Sequence, residues 1–281
     1  MNLGKNTKKK TNKKKNSLHK NKILNEKALR LIRNSSQFAY EKGVKMSGGI
    51  LNGSVELPLL EDRELYQHQV EKLDSYFEEF HQQERVSPSC GKGCSYCCSY
   101  PIFINDLEYI SIKGWIEENF NEDKTRKLNK NLSKWKKSTG DLAEQLQQGH
   151  EKILNIEPGV TKPHMVLDTE NKNEELRKEY TAKKIDCPFL EENTCSIYET
   201  RPVSCRSYFA YGNSSRCEKS LYPVGTINYN CAERNIYIAP LLNTIRKLSN
   251  NNPLTMRSYE QKIVKSSKLM PLRFLEYYDL V

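Results

Sequence analysis

Residues 90–98 read Cys-Gly-Lys-Gly-Cys-Ser-Tyr-Cys-Cys, and residues 187–208 read CPFLEENTCSIYETRPVSCRSY. The first run places Cys90, Cys94, Cys97 and Cys98 in a single turn-rich loop, which packing alone does not require. Gly91 and Gly93 let that loop fold tightly and turn its N–H groups toward the sulfurs, lowering the cost of gathering negative charge. Thiolates so close together repel unless a cation is present, so a metal is the natural counter-charge. The second run adds Cys187, Cys195 and Cys205. Its two short apolar runs flank the polar tetrapeptide 191–194, a hairpin signal that brings Cys187 and Cys195 together. Arg201-Pro202 then opens a helical turn, with Pro at the first helical position, and Cys205 comes round to the same site.

The chain has 281 residues, enough to bury a core without staples, so stability does not explain its 9 cysteines. Disulfides fit poorly: the count is odd, Cys97 and Cys98 are adjacent, and the start shows lysines with no apolar export segment behind them. Independent buried cysteines would scatter, a reading that survives only for Cys217 and Cys231. Metal ligation takes Cys90, Cys94, Cys97, Cys98, Cys187, Cys195 and Cys205. Tetrahedral zinc and a cysteine-held iron–sulfur cluster both suit such surroundings, and spacing does not separate them; seven thiols exceed one closed zinc site, leaving ligands for a second metal or an open position, with iron–sulfur the reading leaned to. Arg201 and Arg206 stand beside Cys205 as charge compensation for thiolates or as contacts for a cofactor anion, against the plainer reading of surface arginines.

The run C-x3-C-x2-C-C, then Cys-Pro-Phe-Leu, Cys-Ser-Ile-Tyr and Arg-Pro-Val-Ser-Cys-Arg, resembles the YkgJ-type cysteine-cluster family of zinc- or iron-chelating proteins. The resemblance covers roughly residues 88–232, with 122–172 as a helical insertion and 1–85 outside it. It implies the same seven cysteines as shared ligands, and places the family's Tyr-x-x-Arg-Pro element on Tyr198, Arg201 and Pro202. Cys90, Cys94 and Cys97 also match the spacing of the radical S-adenosylmethionine loop, but no strand precedes Cys90 and no strand–helix repetition follows. Flagellin lysine N-methylases look similar in their cysteine cluster, so a metal-dependent enzyme, by methyl transfer to protein lysine or S-adenosylmethionine chemistry, is the alternative to a metal-binding protein of structural or redox role. A nucleic-acid-associated protein is the third reading.

Charge bears on that third reading. The net charge is +10, and Lys5, Lys8, Lys9, Lys10, Lys13, Lys14, Lys15, Lys20 and Lys22 precede the first acidic residue, Glu26. The pI of 9.0 is therefore a property of the first 22 residues, and the body is nearly neutral. Residues 1–22 lack apolar periodicity and are expected to be a disordered tail, able to meet an anionic partner (RNA, anionic lipid or an acidic protein) through charge alone. No run approaches the length of a membrane span, and a cytoplasmic protein is the expectation.

Helical periodicity fills most of the remainder. Ile23, Leu24, Ala28, Leu31, Ile32, Phe38 and Ala39 suggest a helix ended by Gly43 and Gly48-Gly49, and Tyr66, Val70, Leu73, Phe77 and Phe80 mark a second beginning near Glu61. Asn105 with Glu108 forms a capping box for a helix over 106–119. Leu128, Leu132, Trp135, Leu142, Leu146 and Ile153 mark a helical pair broken at Thr139-Gly140. Residues 157–172 read as a Pro-containing loop, 174–184 as a short helix, 236–248 as a helix ended by Asn250–Pro253, and 254–264 as another. The fold expected is mainly α: a helical scaffold around a Cys-rich metal-binding region with a small β-hairpin. It divides into the tail, a helical segment 23–85 and a cysteine-cluster domain 86–281. His81, His150 and His164 are isolated and read as ordinary surface or core residues.

Overall fold

The computed structural model describes residues 4–52, 62–156, 163–218, 225–229, 232–248, 263 and 266–280, with side chains described from Ile23 onward except those of Leu24, Asn25, Asn52, Ser214, Arg234 and Leu248. The described residues are mainly helical, with three small two-stranded antiparallel sheets among them, in keeping with the mainly α expectation. The helices are α1 (Gly4–Asn52), α2 (Asp62–Glu84), α3 (Asp106–Asn119), α4 (Glu122–Thr139), α5 (Leu142–Leu154), α6 (Pro163–Ala182), α7 (Val203–Arg206), α8 (Ala239–Leu248) and α9 (Met270–Tyr277). A π-helical stretch, Glu233–Ile238, leads into α8. The strands pair as β1 (Phe103–Ile104) with β6 (Lys268–Leu269), β2 (Leu190–Glu191) with β3 (Thr194–Cys195), and β4 (Tyr208–Ala210) with β5 (Thr226–Asn228). Among the described residues no helix is long and apolar enough to cross a membrane.

Two apolar clusters organise the molecule. One gathers Leu31 and Ala39 of α1, Leu73, Phe77 and Phe80 of α2, and Tyr229, Ile236 and Leu241 from far along the chain. The other gathers Ile112 of α3, Leu132 and Trp135 of α4, Leu146 of α5, Phe189 and Ile197 around the β2–β3 hairpin, and Phe274 of α9. The N-terminal helices thus share a core with residues that follow the second cysteine segment.

The first helix departs from expectation at both ends. It starts at Gly4, inside the segment expected to be a disordered tail, and it continues through Gly43 and Gly48-Gly49, expected to stop it, as far as Asn52. Its buried stripe is Leu31, Ser35, Ala39 and Gly43, four apart, rather than the stripe that included Ile23 and Ile32, which are exposed. Gly43 is where α1 meets the π-helical stretch: a Cβ there would sit 2.4 Å from the backbone oxygen of Asn235. The residue is glycine for close approach, not for termination. Gly43→Ala is therefore expected to cost about 1–3 kcal/mol, because a backbone oxygen must give way; Gly48→Ala, with nothing within 4 Å of its Cβ, should be neutral or slightly stabilising. Thermal melts of the two variants check this.

Other boundaries follow the sequence more closely. Gly140, at φ 53°, ends α4 and α5 follows, as the Thr139-Gly140 break implied. Helix α6 begins at Pro163, earlier than the helix expected from residue 174, because Pro is well suited to a first helical position and here starts the helix rather than a loop. Exposed Met165 and Leu167 give that first part no buried stripe to read. The expected stop at 250–253 and most of the helix expected over 254–264 lie outside the described residues, as does Cys231.

Candidate metal centre

Local chemistry shapes each cysteine segment. In the first, Gly93 takes φ 93° and the Cys94 N–H donates to the Gly91 carbonyl at 3.0 Å, closing the tight turn. In the second, β2 and β3 pair Leu190 with Cys195 and Glu191 with Thr194. The two residues between them, Glu192 (φ 47°) and Asn193 (φ 64°), are both left-handed, as a two-residue hairpin turn with the strand twist requires. The helical turn that follows starts one residue later than expected: Pro202 caps α7 from outside, and Cys205 lies within it.

Backbone hydrogen bonds tie the two segments together. The Cys187 N–H donates to the Cys98 carbonyl at 2.7 Å, and the Ser89 N–H donates to the Ala210 carbonyl at 2.7 Å. The Ala210 N–H in turn donates to the Cys90 sulfur at 3.1 Å. Cys90, Cys94, Cys97, Cys98, Cys187, Cys195 and Cys205 all line one cavity of about 770 Å³. All seven are free thiols, as is Cys217.

Electrostatics explains what that gathering needs. Burial pushes Cys187, Cys195 and Cys205 upward, and in each case neighbouring thiols add to the effect. Cys97 is raised first by its hydrogen bond with Cys98 and then by burial. Its charge is felt at Cys187, Cys195, Cys205 and Cys90, so it sits between the two segments. Cys90 and Cys94 share a hydrogen bond that raises Cys90 and lowers Cys94. Without a cation Cys90, Cys97, Cys187, Cys195 and Cys205 are held as neutral thiols. Among the described residues no group of three His, Cys, Asp or Glu side chains is arranged to hold a metal ion. The donors fit a thiophilic metal in type, number and shared wall, and its binding would displace the thiol protons.

The two arginines differ. Arg206 is buried, with its Nε donating to the Arg201 carbonyl at 3.0 Å and its other nitrogens meeting the Asp74 carboxylate and the Glu199 carbonyl. Arg201 stacks on Tyr198, with its guanidinium carbon 4.0 Å from the ring centroid, and its Nε is buried without a partner. Both line the cavity, and both charges act to stabilise the thiolate form of Cys195 against its burial.

Beneath the cysteines lies the capping box of α3, which does more than its sequence signature suggests. Asn105 accepts from the Glu108 N–H at 2.9 Å, and Glu108 accepts from the Asn105 N–H at 3.0 Å. The other Glu108 oxygen accepts from the Val203 N–H at 2.9 Å, tying α3 to the helix that carries Cys205. Burial raises the Glu108 carboxyl to about 7. The folded chain therefore holds this proton more tightly than the unfolded chain, where a carboxyl loses it near its ordinary value. Stability from this group is present at low pH and falls as pH rises from about 4.5 to about 7, by a total on the order of 3 kcal/mol. Melting of wild type and Glu108→Gln across this range should show that extra slope in the wild type alone; parallel curves would contradict it.

Three residues outside the expected site lie beside it. Cys217 is 7% exposed and its charge couples to Cys97 and Cys94, which places an eighth thiol beside the first segment, on a second, smaller cavity. His150 and Arg177, from α5 and α6, line the main cavity. His81, by contrast, is a core residue whose Nε2 meets the Tyr211 hydroxyl at 2.8 Å, as expected of an isolated histidine, and His164 is exposed.

Comparison with known proteins identifies the class. The family model CxxCxxCC, whose description reads "Putative zinc- or iron-chelating domain", matches residues 89–232, half of the chain and both cysteine segments. The chain belongs to this family, and it binds metal through its cysteines. No curated protein and no solved structure matches it.

Proposed function

We propose that the chain holds an iron–sulfur cluster between its two cysteine segments, in a redox or structural role. The observation that supports this best is the number of thiols on one wall. Seven cysteines line the cavity, whereas a closed structural zinc site uses four ligands. Cys90, Cys94, Cys97, Cys98, Cys187, Cys195 and Cys205 are the candidate ligands. Bound there, the cluster would supply electron transfer, or rigidity if it never changes oxidation state. The chain's own part is to bring the two segments together through the Cys187–Cys98 and Ser89–Ala210 backbone bonds and to balance thiolate charge. Arg206, spent on protein partners, serves that balance; Arg201, with an unpartnered Nε, keeps a donor for an anion of the cofactor. The lysine-rich residues 5–22 are a separate feature for an anionic partner, and cytoplasmic residence suits reduced thiols.

Anaerobic purification with metal and sulfide analysis and a visible spectrum tests this. Brown protein with matching iron and sulfide is expected. Colourless protein that carries zinc through the same cysteines would replace the cluster with zinc and leave the ligand set standing.

A further inference from the structure

The cavity is far larger than a metal centre needs. At about 770 Å³ it falls in the range of pockets that enclose small organic molecules. Away from the thiols its wall is built by β1, α5 and α6. His150 stacks on Phe103 with ring centroids 4.0 Å apart and meets the Ser267 hydroxyl through Nε2 at 3.0 Å. Arg177 lies over the same Phe103 ring, its guanidinium carbon 5.4 Å from the centroid. Close approach fixes this arrangement: a Cβ on Gly149 would sit 2.6 Å from Asn173 Oδ1, so α5 and α6 touch one residue before His150 and one turn before Arg177.

Among the described residues the Arg177 guanidinium makes no hydrogen bond and no ion pair, and it lies over the Phe103 ring. Its positive charge is felt by His150, which burial first and Arg177 second push down to about 4, so the imidazole stays neutral near pH 7 and adds no competing charge. An unpaired guanidinium with spare donors on a cavity wall, beside a phenyl ring and a neutral imidazole, is an anion anchor. Tyr180, three residues on along α6, lines the same cavity and lies close enough to Cys187 to feel its charge. Residues three apart on a helix are neighbours, so Arg177 and Tyr180 lie on one side of α6, in the wall of the cavity that the thiols also line.

We propose that this cavity binds a small organic carboxylate with an apolar body, its carboxylate on Arg177 and its body against the apolar lining of Ile102, Met270 and Pro271, directed toward the thiol wall. The site does not depend on which metal the cysteines hold.

A matched pair of fluorescent probes tests it on the full chain as purified: 1-pyrenebutyrate and its uncharged analogue 1-pyrenebutanol. The wild type should bind the butyrate at one site at least about tenfold more tightly than the alcohol, the value of a charge-assisted contact. Arg177→Met should erase that preference while metal content, measured on the same samples, stays unchanged. Arg177→Lys should keep part of it, which guards against a methionine variant that folds poorly. Equal affinity of the two probes for wild type, no saturable binding of either, or a preference that survives in Arg177→Met would overturn the proposal. None of these results would alter the metal content that the proposed function rests on.

Discussion

Cys97→Ser should lower metal affinity by about a hundredfold or more, the share of a thiolate ligand in binding energies of about 10–16 kcal/mol for four-ligand sites. Cys97 is the thiol whose charge reaches both segments, acting on Cys90 on one side and on Cys187, Cys195 and Cys205 on the other. Serine keeps the size and much of the polarity but does not ionise near neutral pH, so the fold should survive while the site loses its central donor. Cys217→Ser is the control. That thiol is also buried and close, but it opens on the second cavity, and its replacement should change affinity by less than about tenfold. Competition against a chromophoric chelator measures both. Equal losses would place Cys217 among the ligands and displace Cys97 from the centre.

Arg206→Met should destabilise the chain by about 3 kcal/mol, the lower part of the range for breaking a buried ion pair, since Asp74 remains partly in water. The loss comes from three partners at once. The Glu199 and Arg201 carbonyls lose a buried donor, although Tyr66 still donates to the latter at 3.1 Å, and the Asp74 carboxylate loses its cation. These carbonyls flank the turn that presents Cys205, so reduced metal retention should accompany the lower melting temperature. Asp74→Asn should cost less, about 1 kcal/mol, because Arg206 keeps both carbonyls. If the two substitutions cost the same, the ion pair alone carries the energy and the carbonyl clamp does not.

How far the sequence could be read depended on whether the signal was local. The capping box at Asn105 and Glu108, the β2–β3 hairpin and the Gly140 break depend on a few neighbouring residues, and each was legible. That the two cysteine segments would share one cavity wall was legible because four thiols in one short loop have few uses, and the second segment repeats the chemistry. Gly43 was misread because close approach and helix termination call for the same residue, and only the Asn235 carbonyl distinguishes them. Glu108 was half read: its cap is local, but its hold on Val203 spans 95 positions. Arg177, His150 and Phe103 carried no signal at all, since a cation over a phenyl ring beside a neutral imidazole exists only after α5, α6 and β1 have packed. Cys217 likewise reaches the first segment through tertiary folding, from beyond the spaced motif.

The central claim is that both cysteine segments hold one metal centre. Mapping thiol protection tests it most directly: alkylate the metal-loaded full chain under anaerobic conditions, identify the modified cysteines by mass spectrometry, then repeat after chelation. The account predicts that Cys97 and thiols of the 187–205 segment are protected together while metal is bound and become reactive together when it leaves. Protection confined to residues 90–98, with Cys187, Cys195 and Cys205 freely alkylated on the loaded protein, would contradict it.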